Sequence, residues 1–422
     1  MLLDFSINNY LSYGSAQTFS TICNADKAHV ESNTAKVLNN KVSLVSVIFG
    51  ANASGKTGLF RGMNFVRQFF LHSNGLSSEQ HIPVRQFKFD NKLSNMPCQF
   101  ELTFVKNGIK YVYGFSCTAT EVIDEYLDMY KSSKPTNVFT RSNVNNYVFS
   151  SDQRLLKAIS LRNPPNKLFV CTASSWNYEV TQPVVEFVIS DLYVVFDYRL
   201  NSNLIESFKR KKIFDEYKNF CIKLLNHADL NISDFKMNDK KLNKESPYYS
   251  NLISALKLLT NKDSFDSDNF NVLEFQTVHD INGEKYLLKL EDESFGTQNL
   301  FNVAPILFQT LKYGKTLVLD EIDRSMHPLL VKYIVELFCD KDINKNNAQL
   351  ICNSHDTNLQ DLDILRRDQI WFAEKDYETG MSRLFSLADF SPRKTENVEK
   401  NYLVGRYGSV PFITKGGDLW ED

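Results

Sequence analysis

Residues 50–57 read Gly-Ala-Asn-Ala-Ser-Gly-Lys-Thr, a match to G-x-x-x-x-G-K-[ST], the loop pattern that cradles a polyphosphate. The chemistry follows from the residue types. Gly50 and Gly55 have no Cβ, so the backbone there can wrap closely around phosphate oxygens. Main-chain N–H groups across Ala51, Asn52, Ala53 and Ser54, with the N-terminus of the next helix, would face the anion. Lys56 is expected to reach the β- and γ-phosphates, and Thr57 to offer its hydroxyl to Mg²⁺. A plain glycine turn ahead of a helix is the structural alternative; the Gly-Lys-Thr triplet and an apolar run before it stand against that.

A second set of groups lies 260 residues on. Residues 316–321, Thr-Leu-Val-Leu-Asp-Glu, are an apolar run ending in two acids, the Walker B pattern. Asp320 would hold Mg²⁺ opposite Thr57, and Glu321 would orient the attacking water or take its proton. Asp323 follows in Glu-Ile-Asp-Arg-Ser-Met-His-Pro, where His327 before Pro328 reads as a helix-start or packing residue. Residues 348–352 form another apolar run, ending in Asn353-Ser354-His355-Asp356-Thr357. His355 is thereby placed to touch a γ-phosphate; taken alone it reads as a structural hydrogen-bonding histidine. The segment Glu293-Ser-Phe-Gly-Thr-Gln-Asn-Leu-Phe301 opens a helix expected at 297–311. A Ser-x-Gly turn at a helix start, here Ser294 and Gly296, is an anion site, and Ser294 or Thr297 also serves as a helix cap.

These groups need a parallel sheet whose strand ends converge. Val42–Phe49 is the apolar strand that feeds the glycine loop, and Gly58–Phe70 the helix that leaves it. Around them the first 150 residues are rich in strand patterns. Residues 2–8 alternate, Asn9–Gly14 reads as a turn, and residues 84–90 alternate strongly. Residues 99–118 form a hairpin on Asn107-Gly108, with further strands at 121–130 and 137–149. From about 200 to 265 the texture becomes helical, with Leu204–Leu225 and 249–259 at helical spacing. The run Lys209-Arg-Lys-Lys212 is a solvated helix face or a DNA contact. Asp263–Asn271 is a polar linker, and a hairpin on Asn282-Gly283 follows.

The chain has 422 residues and a formal net charge of −2, so nucleic-acid binding would need a local basic patch. Seven cysteines are scattered without a C-x-x-C pair, which fits a reduced, cytoplasmic protein without structural zinc. The N-terminus does not read as a signal peptide, and no apolar stretch is long enough for a membrane span.

The order of motifs resembles the ABC-type ATPase head. The N-terminal strand with Asn-Tyr-Leu-Ser and the β-rich first lobe are similar to the SMC/RecF-like branch. More narrowly, Gly-Ala-Asn-Ala-Ser-Gly-Lys-Thr, Glu-Ser-Phe-Gly-Thr-Gln, Asp-Glu-Ile-Asp-Arg-Ser-Met-His-Pro and Ser-His-Asp-Thr resemble the AAA15/AAA21 ATP-binding proteins of bacterial defence loci, of the RloA or AbiL type. So do Leu365–Lys375 and Gly405–Phe412. The resemblance spans nearly the whole chain and implies an α/β fold, an ABC-type P-loop NTPase head with a mixed sheet, a β-rich N-terminal lobe and a short helical insertion. Its divisions would be 1–195 (P-loop and β-lobe), 196–270 (helical insertion), 271–390 (signature, Walker B and switch histidine) and 391–422, a tail for partner docking in which Arg406 and Tyr407 look exposed.

Carried onto this sequence, the resemblance implies that Lys56 and Thr57 bind phosphate and Mg²⁺, Asp320 is the Walker B acid and Glu321 the general base. Ser294 and Gly296 act in trans, Asp323 lies in the loop that crosses a dimer interface, and His355 is the switch histidine. Phe295 stands where many transporter-type signatures carry a second Gly, and Gln86 and Gln99 are the two candidates for the Q-loop glutamine.

ATP and Mg²⁺ are the implied cofactors, and two heads sandwiching two ATPs the implied assembly, with slow ATP hydrolysis. The function implied is an ATP-driven switch of a bacterial anti-phage, abortive-infection system that controls a separate effector such as a Toprim-type nuclease. This chain shows no nuclease constellation of its own; Asp376, Glu378 and Asp389 lack metal-site spacing. The alternative is a RecF/SMC-like DNA-repair ATPase, which the basic run favours and the net charge disfavours. A transporter's ATPase subunit is a third class, opposed by the elaborate N-terminal lobe.

Overall fold

The computed structural model describes residues 1–228, 230–241 and 271–411. The helix expected at 249–259 and all of the expected linker but Asn271 lie outside these residues. The chain divides into two compact units, Met1–Asp197 with Gln309–Asp422, and Tyr198–Phe308.

The first unit is built on a six-stranded sheet. Its order is Leu192–Val195, Thr316–Leu319, Gln349–Asn353, Val45–Phe49, Ile370–Lys375 and Ser382–Ser386. The first five strands run parallel and the last is antiparallel. Strands Thr316–Leu319, Gln349–Asn353 and Val45–Phe49 are buried at every position, which explains their unbroken apolar character in the sequence. The apolar run Val42–Phe49 is divided. Its first residues pair in the small hairpin Thr34–Val37/Asn40–Ser43, and only Val45–Phe49 enters the central sheet. Helix Lys56–His72 turns Leu59, Met63, Val66 and Phe70 inward at three- and four-residue spacing.

A seven-stranded antiparallel sheet forms the β-rich lobe, running from Asn146–Phe149 through Ile109–Cys117 and Cys98–Lys106 to Leu2–Asn8 and Gln17–Ser20. Asn107 and Gly108 both have positive φ (53° and 74°), the type I′ geometry that an Asn-Gly hairpin favours. Its inner face shares one core with the helix, where Phe104 and Phe187 stack at 4.1 Å. A buried Glu125 is fastened there by the Phe169 and Val170 N–H groups (2.7 and 2.9 Å) and by Tyr113 Oη (3.0 Å).

Residues 84–90 are not a strand despite their alternation. Ile82, Val84 and Phe87 are buried, but the backbone is tied to loops: Leu11 N–H donates to Arg85 O, and Phe87 N–H to Asn9 Oδ1. Val84 and Phe87 turn inward while Phe89 is exposed, so the alternation does not mark one buried side.

The second unit holds helices Ser202–Arg210 and Phe214–His227 and a three-stranded antiparallel sheet, Ile232–Lys241, Asn271–Ile281 and Glu284–Lys289. Its core is aromatic: Phe208 meets Tyr217 and Phe308, and Phe301 meets Phe235 and Phe275, with centroids 5.1–5.5 Å apart. In the basic run, Lys209 pairs with Glu206 at 2.8 Å. No helix among the described residues is long and apolar enough to cross a membrane.

Candidate functional site

Ligands of open parallel sheets gather at the carboxyl ends of the strands. Three such ends meet here: Phe49 leads into Gly50, Leu319 into Asp320, and the third strand finishes at Asn353. A hollow of about 610 Å³ opens over them, bounded by Asn52–Gly58, Asp320, Glu321 and His355. The elements that the sequence separates by hundreds of residues are therefore neighbours.

The loop geometry needs both of its glycines. Gly50 has φ 149°, and a Cβ there would lie 2.3 Å from Ala373 O. Gly55 has φ 117°, and its Cβ would meet Ser382 Oγ at 2.5 Å. The turn after the first strand supports the loop from below. Tyr13 is fully buried and donates from its hydroxyl to Gly55 O at 3.0 Å, while Ser12 O accepts from Ser382 N–H at 2.7 Å.

Lys56 folds back over the loop and donates to Gly50 O (2.6 Å) and Ala51 O (2.9 Å). Burial pushes its ammonium down to about 8, against the pull of Asp320, Asp323 and Glu321. Thr57 Oγ1 donates to Asp320 Oδ1 at 3.0 Å. Burial raises the Asp320 carboxyl above the ordinary range, and the bonds from Asn353 and Thr57 oppose that rise. Ser54 Oγ is buried without a hydrogen-bond partner among the described residues, on the wall of the hollow. A buried hydroxyl in that state is costly unless an incoming group completes it.

Asn353 is the part that motif reading passes over. Leu319 pairs with Cys352 across adjacent strands, so the next residue of each, Asp320 and Asn353, lie side by side. Asn353 is fully buried, donates to Asp320 Oδ1 at 2.5 Å and accepts the Glu321 N–H at 2.5 Å. Glu321 sits at φ 53°, a left-handed conformation rare outside glycine. The visible signal was a polar residue closing an otherwise apolar buried strand.

Asp323 Oδ2 accepts the His355 N–H at 2.9 Å, and its Oδ1 is buried without a hydrogen-bond partner among the described residues. His355 is exposed and lines the hollow. His327 caps helix Pro328–Cys339, its Nδ1 accepting from Leu329 N–H at 3.2 Å. Gln86 lines the same hollow as Lys56, whereas Gln99 bonds Asn8 on the seven-stranded sheet. In the second unit, Ser294 precedes helix Phe295–Tyr313, accepts the Thr297 N–H at 3.2 Å and bonds its hydroxyl at 2.8 Å. Phe295 beside it is 76% exposed.

The tail differs from expectation in one respect. Tyr407 is buried, not exposed: it stacks on Phe372 (5.8 Å) and meets Phe390 edge-on (5.2 Å). Arg406 stays exposed and pairs with Glu396 at 3.1 Å.

None of the curated proteins compared matches the chain. Three solved heads are similar to it. The SmcHead bound to the C-winged helix domain of ScpA is 12% identical (91% of this chain, 97% of that one, TM-score 0.43). The SMC head domain from Thermotoga maritima is 13% identical (91% and 98%, TM-score 0.40). The Smc head domain with an extended coiled coil, bound to the C-terminal domain of ScpA derived from Pyrococcus furiosus, is 12% identical (91% and 96%, TM-score 0.41). A family profile described as "AAA domain, putative AbiEii toxin, Type IV TA system" matches residues 45–361. The chain belongs to this AAA-type ATPase family. The match begins at the strand that feeds the P-loop and ends beyond His355, so the shared region of the AAA-type ATPase takes in every strand end that borders the hollow.

Proposed function

We propose that this P-loop ATPase binds and slowly hydrolyses ATP as a switch, its nucleotide state governing assembly with a second copy and, through it, a separate effector in a bacterial anti-phage system. The observation that carries this reading is the joining of Lys56, Thr57, Asp320, Glu321 and His355 around one hollow, with the unpartnered Ser54 hydroxyl on its wall. A triphosphate supplies an acceptor for Ser54 and an anion for Lys56, whose hydrogen bonds among the described residues go to the carbonyl oxygens of Gly50 and Ala51.

Thr57 Oγ1 and Asp320 Oδ1 are the protein oxygens that would hold Mg²⁺, with phosphate and water completing its shell. When bound, Mg²⁺ supplies neutralisation of phosphate charge. Glu321, fixed through its backbone by Asn353, orients the attacking water or takes its proton, and His355 reaches the terminal phosphate. Lys56 stabilises the charge that develops there.

Assembly follows from the second unit's helix start. Ser294 is exposed at a helix N-terminus, an anion-favouring position that a P-loop on another copy would complete. ATP then acts as the joint between copies, and hydrolysis releases it. The family description names a Type IV toxin–antitoxin system, a two-component setting that supports action together with another polypeptide; a cytoplasmic defence role of the RloA or AbiL kind is part of the proposal itself. The deciding experiment is light scattering with and without ATP and Mg²⁺. ATP-dependent doubling of mass that Lys56→Ala abolishes is the expected result; a mass indifferent to ATP would defeat the switch.

A further inference from the structure

The hollow over the P-loop is bordered by a second one of about 820 Å³, and Asn52, Ala53, Ser54 and Phe89 line both. The far wall of this second hollow is the turn that leaves strand Ile370–Lys375, with Ser409 and Val410 beside it. The phosphate-binding loop thus lies between the hollow holding Lys56 and a roomier one walled by aromatic rings and by charged side chains of both signs, among them Glu374, Asp376 and Arg383.

Phe89 stands on the shared rim and is 71% exposed. It is nonetheless anchored. Its ring meets the fully buried Phe87 edge-on at 5.6 Å and 83°, and Lys375 Nζ lies 5.2 Å from its centroid. Gly380 runs so close that a Cβ there would come within 2.7 Å of the Phe89 Cδ2. A fixed aromatic ring left open to solvent at the edge of a phosphate site offers the π-face on which a base stacks. Carboxylates line the same turn from which Lys375 and Gly380 approach the ring. Glu374 Oε1 accepts the Ser409 N–H at 3.0 Å, and Asp376 Oδ1 accepts from Thr379 N–H and Oγ1 at 2.7 and 2.8 Å. An ionised carboxylate only accepts hydrogen bonds, which suits an amino-bearing base such as adenine.

We propose that this second hollow is the nucleobase subsite, and that Phe89 is the residue on which the base of the P-loop nucleotide stacks. The assignment rests on the nucleotide-binding reading above and adds the residues that separate a nucleoside triphosphate from a bare polyphosphate. Inorganic tripolyphosphate carries the chain of three phosphates without ribose or base, so it reports on the P-loop alone.

The test is equilibrium binding of ATP and of inorganic tripolyphosphate, each with Mg²⁺, to the full-length chain and its F89A and F89W variants. F89A is expected to weaken ATP about 5- to 150-fold, the range for losing one base–aromatic stack, and to leave tripolyphosphate unchanged. F89W is expected to restore ATP affinity. Retained tripolyphosphate binding also shows that the loop of F89A is folded. If F89A weakens both ligands alike, or neither, the base subsite is overturned while the P-loop reading stands. If the unaltered chain binds neither ligand, the nucleotide reading falls, and this proposal with it.

Discussion

The Asn353 side chain donates from Nδ2 to Asp320 Oδ1 across 2.5 Å. The same amide's oxygen accepts the Glu321 N–H, so one buried residue positions both acids at the end of the neighbouring strand. A hydrogen bond to a charged group contributes about 1.5–3 kcal/mol, and here it opposes the rise that burial imposes on the Asp320 carboxyl. It also fixes the Glu321 backbone at φ 53°, a conformation that the main chain alone would leave.

Asn353→Ala is therefore expected to lower ATP turnover about 10- to 100-fold, in the way that loss of a supporting partner does in metal-assisted sites. ATP affinity should change much less, since Lys56 and the loop are untouched. Steady-state kinetics separates the two, and unchanged turnover would show that Glu321 holds its place without the amide.

Lys56 gives the site a pH dependence. Its ammonium titrates at about 8, lowered by burial from 10.5. Phosphate binds the charged form, so affinity should be level below pH 7 and fall as pH rises through 8, to about tenfold weaker at pH 9 than at pH 7. The effect on folding has the opposite sign. Between about 8 and 10.5 the unfolded chain holds more protons at this residue, so its contribution to stability without nucleotide grows with pH. Calorimetric titration of ATP at pH 7, 8 and 9 checks the first effect; a flat profile would count against Lys56 as the phosphate-binding cation.

The sequence exposed whatever depends on local pattern. Gly50–Thr57 shows its loop because only those residue types permit φ 149° and 117° beside the close Ala373 backbone and Ser382 side chain. Asn107-Gly108 and Asn282-Gly283 show their hairpins for the same reason, a φ that few residues tolerate. What depends on register was not legible. That Asn353 would lie beside Asp320 follows from the pairing Leu319 with Cys352, and no spacing within one chain segment records it. Residues 84–90 carried a strand's alternation, but their backbone found partners in loops instead of a neighbouring strand. Tyr407 looked exposed among glycines and an arginine, yet Phe372 and Phe390 enclose it.

That enclosure makes the tail part of the first unit's core. Tyr407→Ala removes a ring that is 2% exposed, and an aromatic truncation of this kind costs about 3–5 kcal/mol. Tyr407→Phe, which keeps the stacking and loses the 3.3 Å bond from Asn401, should cost about 1 kcal/mol. Chemical denaturation of the two variants checks the ratio. Equal, small losses would mean that the ring does not pack.

Glu321→Gln keeps the shape of the side chain and removes its basicity. Turnover is expected to drop at least about 100-fold, the usual contribution of a positioned base, while ATP binding survives. The variant should accumulate with ATP bound, seen as nucleotide co-eluting on gel filtration. Hydrolysis at the unaltered rate would reassign the base.

Ser294 separates binding from assembly. Its hydroxyl caps a helix by accepting the Thr297 N–H, and replacing such a cap costs about 1 kcal/mol, too little to unfold a unit held by an aromatic core. Ser294→Arg places a bulky cation at an exposed position beside the exposed Phe295. A P-loop arriving from a second copy would meet that side chain in place of a small hydroxyl and free N–H groups. The variant is therefore expected to bind ATP within about twofold of the unaltered chain, because a 1.4 kcal/mol difference is needed for tenfold and no P-loop contact is lost. Combined with Glu321→Gln, it should remain monomeric in ATP where Glu321→Gln alone assembles. Light scattering of the two proteins decides the matter. Assembly of the double variant would remove Ser294 from the joint, and loss of ATP binding by its monomer would place Ser294 in the same copy's site.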